Sequence, residues 1–185
     1  MRRLLALVLT AAVVTSLGGC GSREDTAPEP TGLRPLLKDR PARKKGDGPA
    51  TLEQEAILRV LEASREEFKT QCATLAADSQ PTQVTKAFGA YLDAADKIDT
   101  KPSPLEFKAA WNRHLKAWRA FHAAVGTLPD MFEDVEFMEM MTALFHGSQD
   151  KAKPLGGDVT AAARKLVASQ NQLFTAAEGY GVTDR

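Results

Sequence analysis

From Thr51 to about Gly179, apolar side chains return every three or four residues, and the only interruptions are short clusters rich in proline and glycine. That period puts them on one side of a helix and nowhere useful on a strand, whose faces alternate every second residue. Ile57, Leu61, Phe68, Cys72 and Leu75 form the first stripe, and Val84, Phe88, Tyr91, Leu92 and Ala95 the second. Trp111, Leu115, Trp118, Phe121 and Val125 form the third. A shorter fourth segment, 131–145, carries Phe137, Met141, Leu144 and Phe145. The last stripe holds Val159, Ala163, Leu166, Leu173 and Phe174. Aromatic residues make up only 6% of the chain, and alanine recurs between the larger apolar side chains, a balance that suits close helix packing.

The breaks carry the chemistry of helix ends. Thr51 with Gln54 makes a capping box. Ser103-Pro104-Leu105-Glu106 supplies a capping serine, a proline at the first helical position and a glutamate to return the bond. Ser79-Gln80-Pro81, Asp99–Pro102 and Leu128-Pro129-Asp130 separate the helices; Gly147 is placed to end the fourth, Asp158 to cap the fifth and Gly179 to stop it. No strand pattern competes. Short connections favour antiparallel neighbours, so residues 51–185 are expected to form an all-α, up-and-down helical bundle of four long helices plus one short helix.

The first fifty residues are different. Arg2 and Arg3 precede an uncharged stretch from Leu4 to Leu17, 14 residues long and too short to cross a bilayer core that takes about 20. It reads as the apolar part of an export signal spanning 1–19. Leu17-Gly18-Gly19-Cys20 closes it and resembles the lipobox of bacterial lipoproteins. The resemblance implies cleavage before Cys20, a diacylglyceryl group on its thiol and acyl chains such as palmitate. Several chains together anchor stably where one alone is marginal. Gly21 follows in place of aspartate, which by the family's sorting rule implies the periplasmic side of the outer membrane in a host with two membranes. Residues 20–50 read as the lipidated cysteine and a disordered tether interrupted by Pro28, Pro30, Pro35, Pro41 and Pro49, with a flexible span of about 30 Å. Within it Arg34, Lys38, Arg40, Arg43, Lys44 and Lys45 face only Asp39; such a run suits either a solvated linker or attraction to anionic head groups. Without Arg2 and Arg3, 22 basic residues stand against 24 acidic ones, a net charge of −2 that gives no reason to expect nucleic acid.

Few residues offer chemistry. His114, Trp118 and His122 are spaced at i, i+4 and i+8, which sets the histidines about 12 Å apart along the axis, too far to share one ion. His114 alone suits a hydrogen-bonded position at the core edge, or an axial ligand in a haem- or metal-binding bundle. Met131, Met138, Met140 and Met141 could offer thioethers to copper, but methionine on an apolar stripe fills gaps. Asp130, Glu133, Asp134, Glu136 and Glu139 make the fourth helix acidic at its start, as the helix dipole favours. No glutamate stands three residues before His114, His122 or His146, so a di-iron carboxylate site is excluded. Cys72 lies on its helix's apolar stripe and reads as a small hydrophobe. The chain has no Gly-x-Ser-x-Gly, phosphate loop, His-Glu-x-x-His or Cys-x-x-Cys-His.

Ile98-Asp99-Thr100, Ser103 to Phe107, Ala110-Trp111, His114, Ala117-Trp118 and Tyr180-Gly181-Val182 resemble a pattern in uncharacterised helical proteins of bacteria, over residues 90–182. The resemblance implies a helical fold and an envelope location, and no activity. The expectation is therefore an anchored envelope lipoprotein without resident cofactor and without catalytic residues, held to the membrane through Cys20 and docking a protein or peptide partner. The alternative is a metal- or haem-binding bundle that uses His114 or the Met131–Met141 cluster, with Met138 and Met141 as ligands.

Overall fold

The computed structural model describes residues 41–43, 50–132, 136–146 and 149–184. The export signal, Cys20, most of the tether, Glu133, Asp134 and Gly147 lie outside them. The chain is all-α in class. Its helices are α1 (Leu52–Cys72), α2 (Pro81–Ala95), α3 (Leu105–Val125), α4 (Glu136–Phe145), the single turn α5 (Gln149–Ala152) and α6 (Gly156–Glu178), with a tight turn at Lys153–Leu155 before α6.

Local chemistry sets several of the boundaries. Thr51 Oγ1 accepts from the Gln54 amide at 3.2 Å and Gln54 Oε1 accepts from the Thr51 amide at 3.0 Å, so the expected capping box starts α1. The start of α3 falls one residue later than expected. Pro104 is the cap and its carbonyl accepts the first helical bond, from Lys108. Ser103 instead donates its amide to Thr100 and closes the preceding turn, and its hydroxyl is buried without a partner. The expected start of the fourth helix at Met131 is also corrected: α4 begins at Glu136 among the described residues. The chain before it is held elsewhere, with Asp130 Oδ1 accepting from the Thr82 amide at 2.9 Å and the Phe132 carbonyl accepting from Gln80 Nε2 at 3.2 Å. Asp130 therefore satisfies the open amides of α2 rather than those of α4. Hydrogen bonds from the Thr82 side chain and, secondly, its backbone amide hold the Asp130 carboxyl below the usual range. The loop expected through Pro154 to Gly157 is folded into the tight turn and the first residues of α6. Gly156, at φ 83°, turns the chain into α6, a conformation that costs glycine little. Asp158 consequently sits inside the first turn of α6 instead of capping it.

Side-chain pairings give the helix directions. Ser64 meets Tyr91 and Phe68 meets Phe88, so α1 and α2 run antiparallel. Thr85 meets His122 and Asp130 reaches Thr82, so α2 and α3 do likewise. His114 meets Ser169 across the most extensive helix pair, α3 against α6. The short α4 and α5 span the turn between those two long helices, which places α3 in the middle with α2 on one side and α6 on the other.

The core centres on Trp118. Phe68, Phe88 and Tyr91 bring their ring centroids within 5.2–5.6 Å of it, and Phe121 within 6.2 Å. Their mutual angles are mostly tilted or edge-on, as aromatic quadrupoles prefer. All residues of the first three predicted stripes are buried. On the last two, Leu144, Phe145 and Phe174 are only partly buried, because α4 and the outer side of α6 lie at the margin of the core.

One element has no counterpart in the sequence reading. Pro41–Arg43 (β1) pairs antiparallel with Val182–Asp184 (β2), Pro41 opposite Asp184 and Arg43 opposite Val182. Gly181, at φ 76°, swings the chain out of α6, Val182 is fully buried, and Gln54 Nε2 donates to the Tyr180 carbonyl at 2.8 Å. Three residues are too few for a period to show. The pairing removes Pro41–Arg43 from the tether and clasps that segment and the chain after α6 beside the start of α1.

Candidate functional site

Two of the buried polar residues, His114 and Ser169, meet between α3 and α6. His114 is 6% exposed. Trp118 Nε1 donates to His114 Nε2 at 3.1 Å, and His114 Nδ1 lies 3.0 Å from Ser169 Oγ, which donates to the Leu166 carbonyl at 2.7 Å. An indole N–H only donates. His114 Nε2 must therefore be the bare, accepting nitrogen, and Nδ1 carries the proton and donates to Ser169. Every hydrogen-bonding atom in this chain has a partner of the right kind. Protonating the ring would set two donors face to face at Nε2, and burial already disfavours the charge, pushing the pKa down to about 4.

This geometry bears directly on the ligand role weighed for His114. Both ring nitrogens are engaged, so an ion or haem iron would have to displace either Trp118 or Ser169. His114 and His122 also diverge: eight residues at 100° each leave them about 80° apart around the helix. His122 turns to α2, where its Nε2 meets the Thr85 carbonyl at 3.1 Å. Gly89 makes that approach possible, since a Cβ there would stand 3.3 Å from His122 Nε2. His146, just past α4, is exposed.

The methionines divide in the same way. Met138, Met140 and Met141 are buried in α4, while Met131 lies before the helix and is 75% exposed. The loop held against α2 by Asp130 and Phe132 separates Met131 from the other three, and these serve as core packing. Among the described residues no three histidine, cysteine or acidic side chains gather to hold a metal ion. No helix among them is long and apolar enough to cross a membrane.

Cys72 is fully buried and unpaired, and burial pushes its thiol up to about 12. A thiol is reactive as thiolate, so Cys72 is inert in the folded chain. Peptide mapping after brief alkylation at pH 8 should find Cys72 unmodified in native protein and fully modified in denaturant. Native labelling at the denatured rate would contradict this placement. Tyr91 is similarly enclosed, its hydroxyl 2.9 Å from Ser64 Oγ and raised to about 12 by burial.

Ser169 is the functional partner that pattern reading missed. A signal was present, because Ser169 stands three residues after Leu166 on the inner stripe of α6, a polar residue where the period asks for an apolar one. Of the α3 residues that resemble the helical bacterial pattern, Phe107, Ala110, Trp111, His114 and Trp118 are buried, whereas Leu105 and Glu106 are exposed. Comparison of the chain with protein-family models, curated proteins and solved structures finds no match.

Proposed function

We propose that the chain is a lipid-anchored envelope protein, acylated at Cys20, whose helical domain is a binding module rather than an enzyme. The observation that carries the second half is the commitment of His114, Cys72, Met138 and Met141 to the interior, with the ring nitrogens of His114 both bonded. The groups best suited to catalysis or ligation are spent on packing, which leaves the outer surface to engage a protein or peptide. The anchor rests on the apolar stretch that ends in Leu17-Gly18-Gly19-Cys20.

Growth with labelled palmitate tests the anchor. The wild-type chain is expected to carry label and partition with membranes, and Cys20→Ser to carry none and to be released. Unlabelled wild-type protein, or a Cys20→Ser chain still held by membranes, would overturn it. Metal analysis and an absorption spectrum of the same purified chain test the module reading, with no stoichiometric metal and no haem band expected. Either signal would restore a cofactor role.

A further inference from the structure

Four large hydrophobic side chains stand out on the described surface, and the two most exposed occupy equivalent places. Leu52, 84% exposed, is the first residue of α1, and Leu105, 79% exposed, is the first of α3. Neither position asks for leucine: the first helical turn favours proline and carboxylates, and both are followed at once by glutamate, Glu53 and Glu106. The two starts lie at one end of the molecule. The Gln54–Tyr180 hydrogen bond brings the start of α1 to the end of α6, and since α2 runs antiparallel to both α1 and α3, the start of α3 lies at the same end as that of α1. Tyr180 sits between them, its hydroxyl raised first by desolvation and then by the nearby carboxylates of Glu106 and Glu53.

The same end receives the chain from its anchor. β1 is clasped to β2 beside Tyr180, so residues 21–40, whatever shape they take, join Cys20 to the domain here and not at the far end, where Asp130 and Met131 lie. A lipid on Cys20 therefore holds this end towards the bilayer. The charges around it are mixed: Glu53, Glu106 and Asp99 stand with Lys101 and Lys108. These folded-domain charges do not favour an anionic surface, and the apolar pair supplies a contact that needs none.

We infer that the end of the domain formed by Leu52, Leu105 and the β1–β2 clasp rests on the lipid surface, with the two leucines inserted at the head-group level. The inference rests on the Cys20 anchor proposed above. It fixes the orientation of the module: α1 and α3 stand with their first turns on the membrane, and the loop carrying Met131 faces outward to partners.

The test uses the full lipidated chain in neutral phosphatidylcholine vesicles, with an environment-sensitive fluorophore on Leu52→Cys, Leu105→Cys or Met131→Cys; the buried Cys72 is spared. Labels at 52 and 105 are expected to shift to the blue and to be quenched by a lipid-borne nitroxide, unchanged by added salt, while the label at 131 reports water. If the chain floats with the vesicles but the labels at 52 and 105 stay in water, the orientation is wrong and the anchor stands. A blue shift at all three sites also overturns the orientation. A chain that does not float at all removes the anchor, and this inference with it.

Discussion

Trp118→Ala should cost the domain about 3–5 kcal/mol, the range for removing a large aromatic from a packed core. The expectation is at the upper part of that range for two reasons. Phe68, Phe88, Tyr91 and Phe121 all pack around this one ring, and they come from three different helices, so no single side chain can move in to fill the space. The substitution also removes the only donor to His114 Nε2 and leaves a buried acceptor unsatisfied. Trp118→Phe separates these effects, because it keeps most of the ring contact and loses the N–H. It should cost about 1–3 kcal/mol, the penalty for an orphaned buried polar atom plus a small cavity. Urea titration followed by circular dichroism gives both values. A Trp118→Ala domain within 1 kcal/mol of wild type, on the ~1 kcal/mol scale of an ordinary substitution, would mean that Trp118 is not the centre of the core.

Acid should weaken the fold through His114. Its pKa lies at about 4 in the folded chain against 6.5 for an ordinary histidine, and burial is the cause. Above pH 6.5 the ring is neutral both folded and unfolded and contributes no pH dependence. As the pH falls from 6.5 the unfolded chain takes the proton and the folded chain does not, so stability declines. The loss reaches about 3 kcal/mol near pH 4, at about 1.4 kcal/mol for each tenfold in proton affinity, and then levels off as the folded form also binds a proton. Carboxylates held low in the folded state, such as Asp130, add a loss of the same sign, so the contribution of His114 is read by difference. His114→Gln, whose amide oxygen can still accept from Trp118, should be less stable at pH 7 and show a flatter decline between pH 6.5 and 4. Parallel slopes for the two proteins would remove the buried neutral histidine from this account.

Much of the architecture was legible before any coordinates. Every residue named on the stripes of α1, α2 and α3 is buried, because each of these helices buries one broad face and a period of 3.6 residues records it. The stripes leave out Val60, Ala87 and Phe107, which are buried on the same faces. The capping box at Thr51 was legible for a similar reason: donor and acceptor lie three residues apart on the same chain. Errors gathered where a residue's partner is distant in sequence. Asp130 reads as the acidic start of the helix that follows it, yet it serves Thr82, 48 residues earlier. Ser103 reads as a cap and is buried beside a turn. The site shows the same limit. His114 was identified, with Trp118 one turn away, but Ser169 comes 55 residues later and nothing local pairs them.

The sequence by itself determined the helical class and most of the inner faces of the long helices, because periodicity and caps are local. Only the tertiary structure decided that His114 is a neutral strut between α3 and α6, that Met131 stands apart from the other methionines, and that a strand pair clasps Pro41–Arg43 to the chain after α6. Those outcomes depend on which side chains meet across helices. A one-dimensional pattern states which face is buried and not what lies against it.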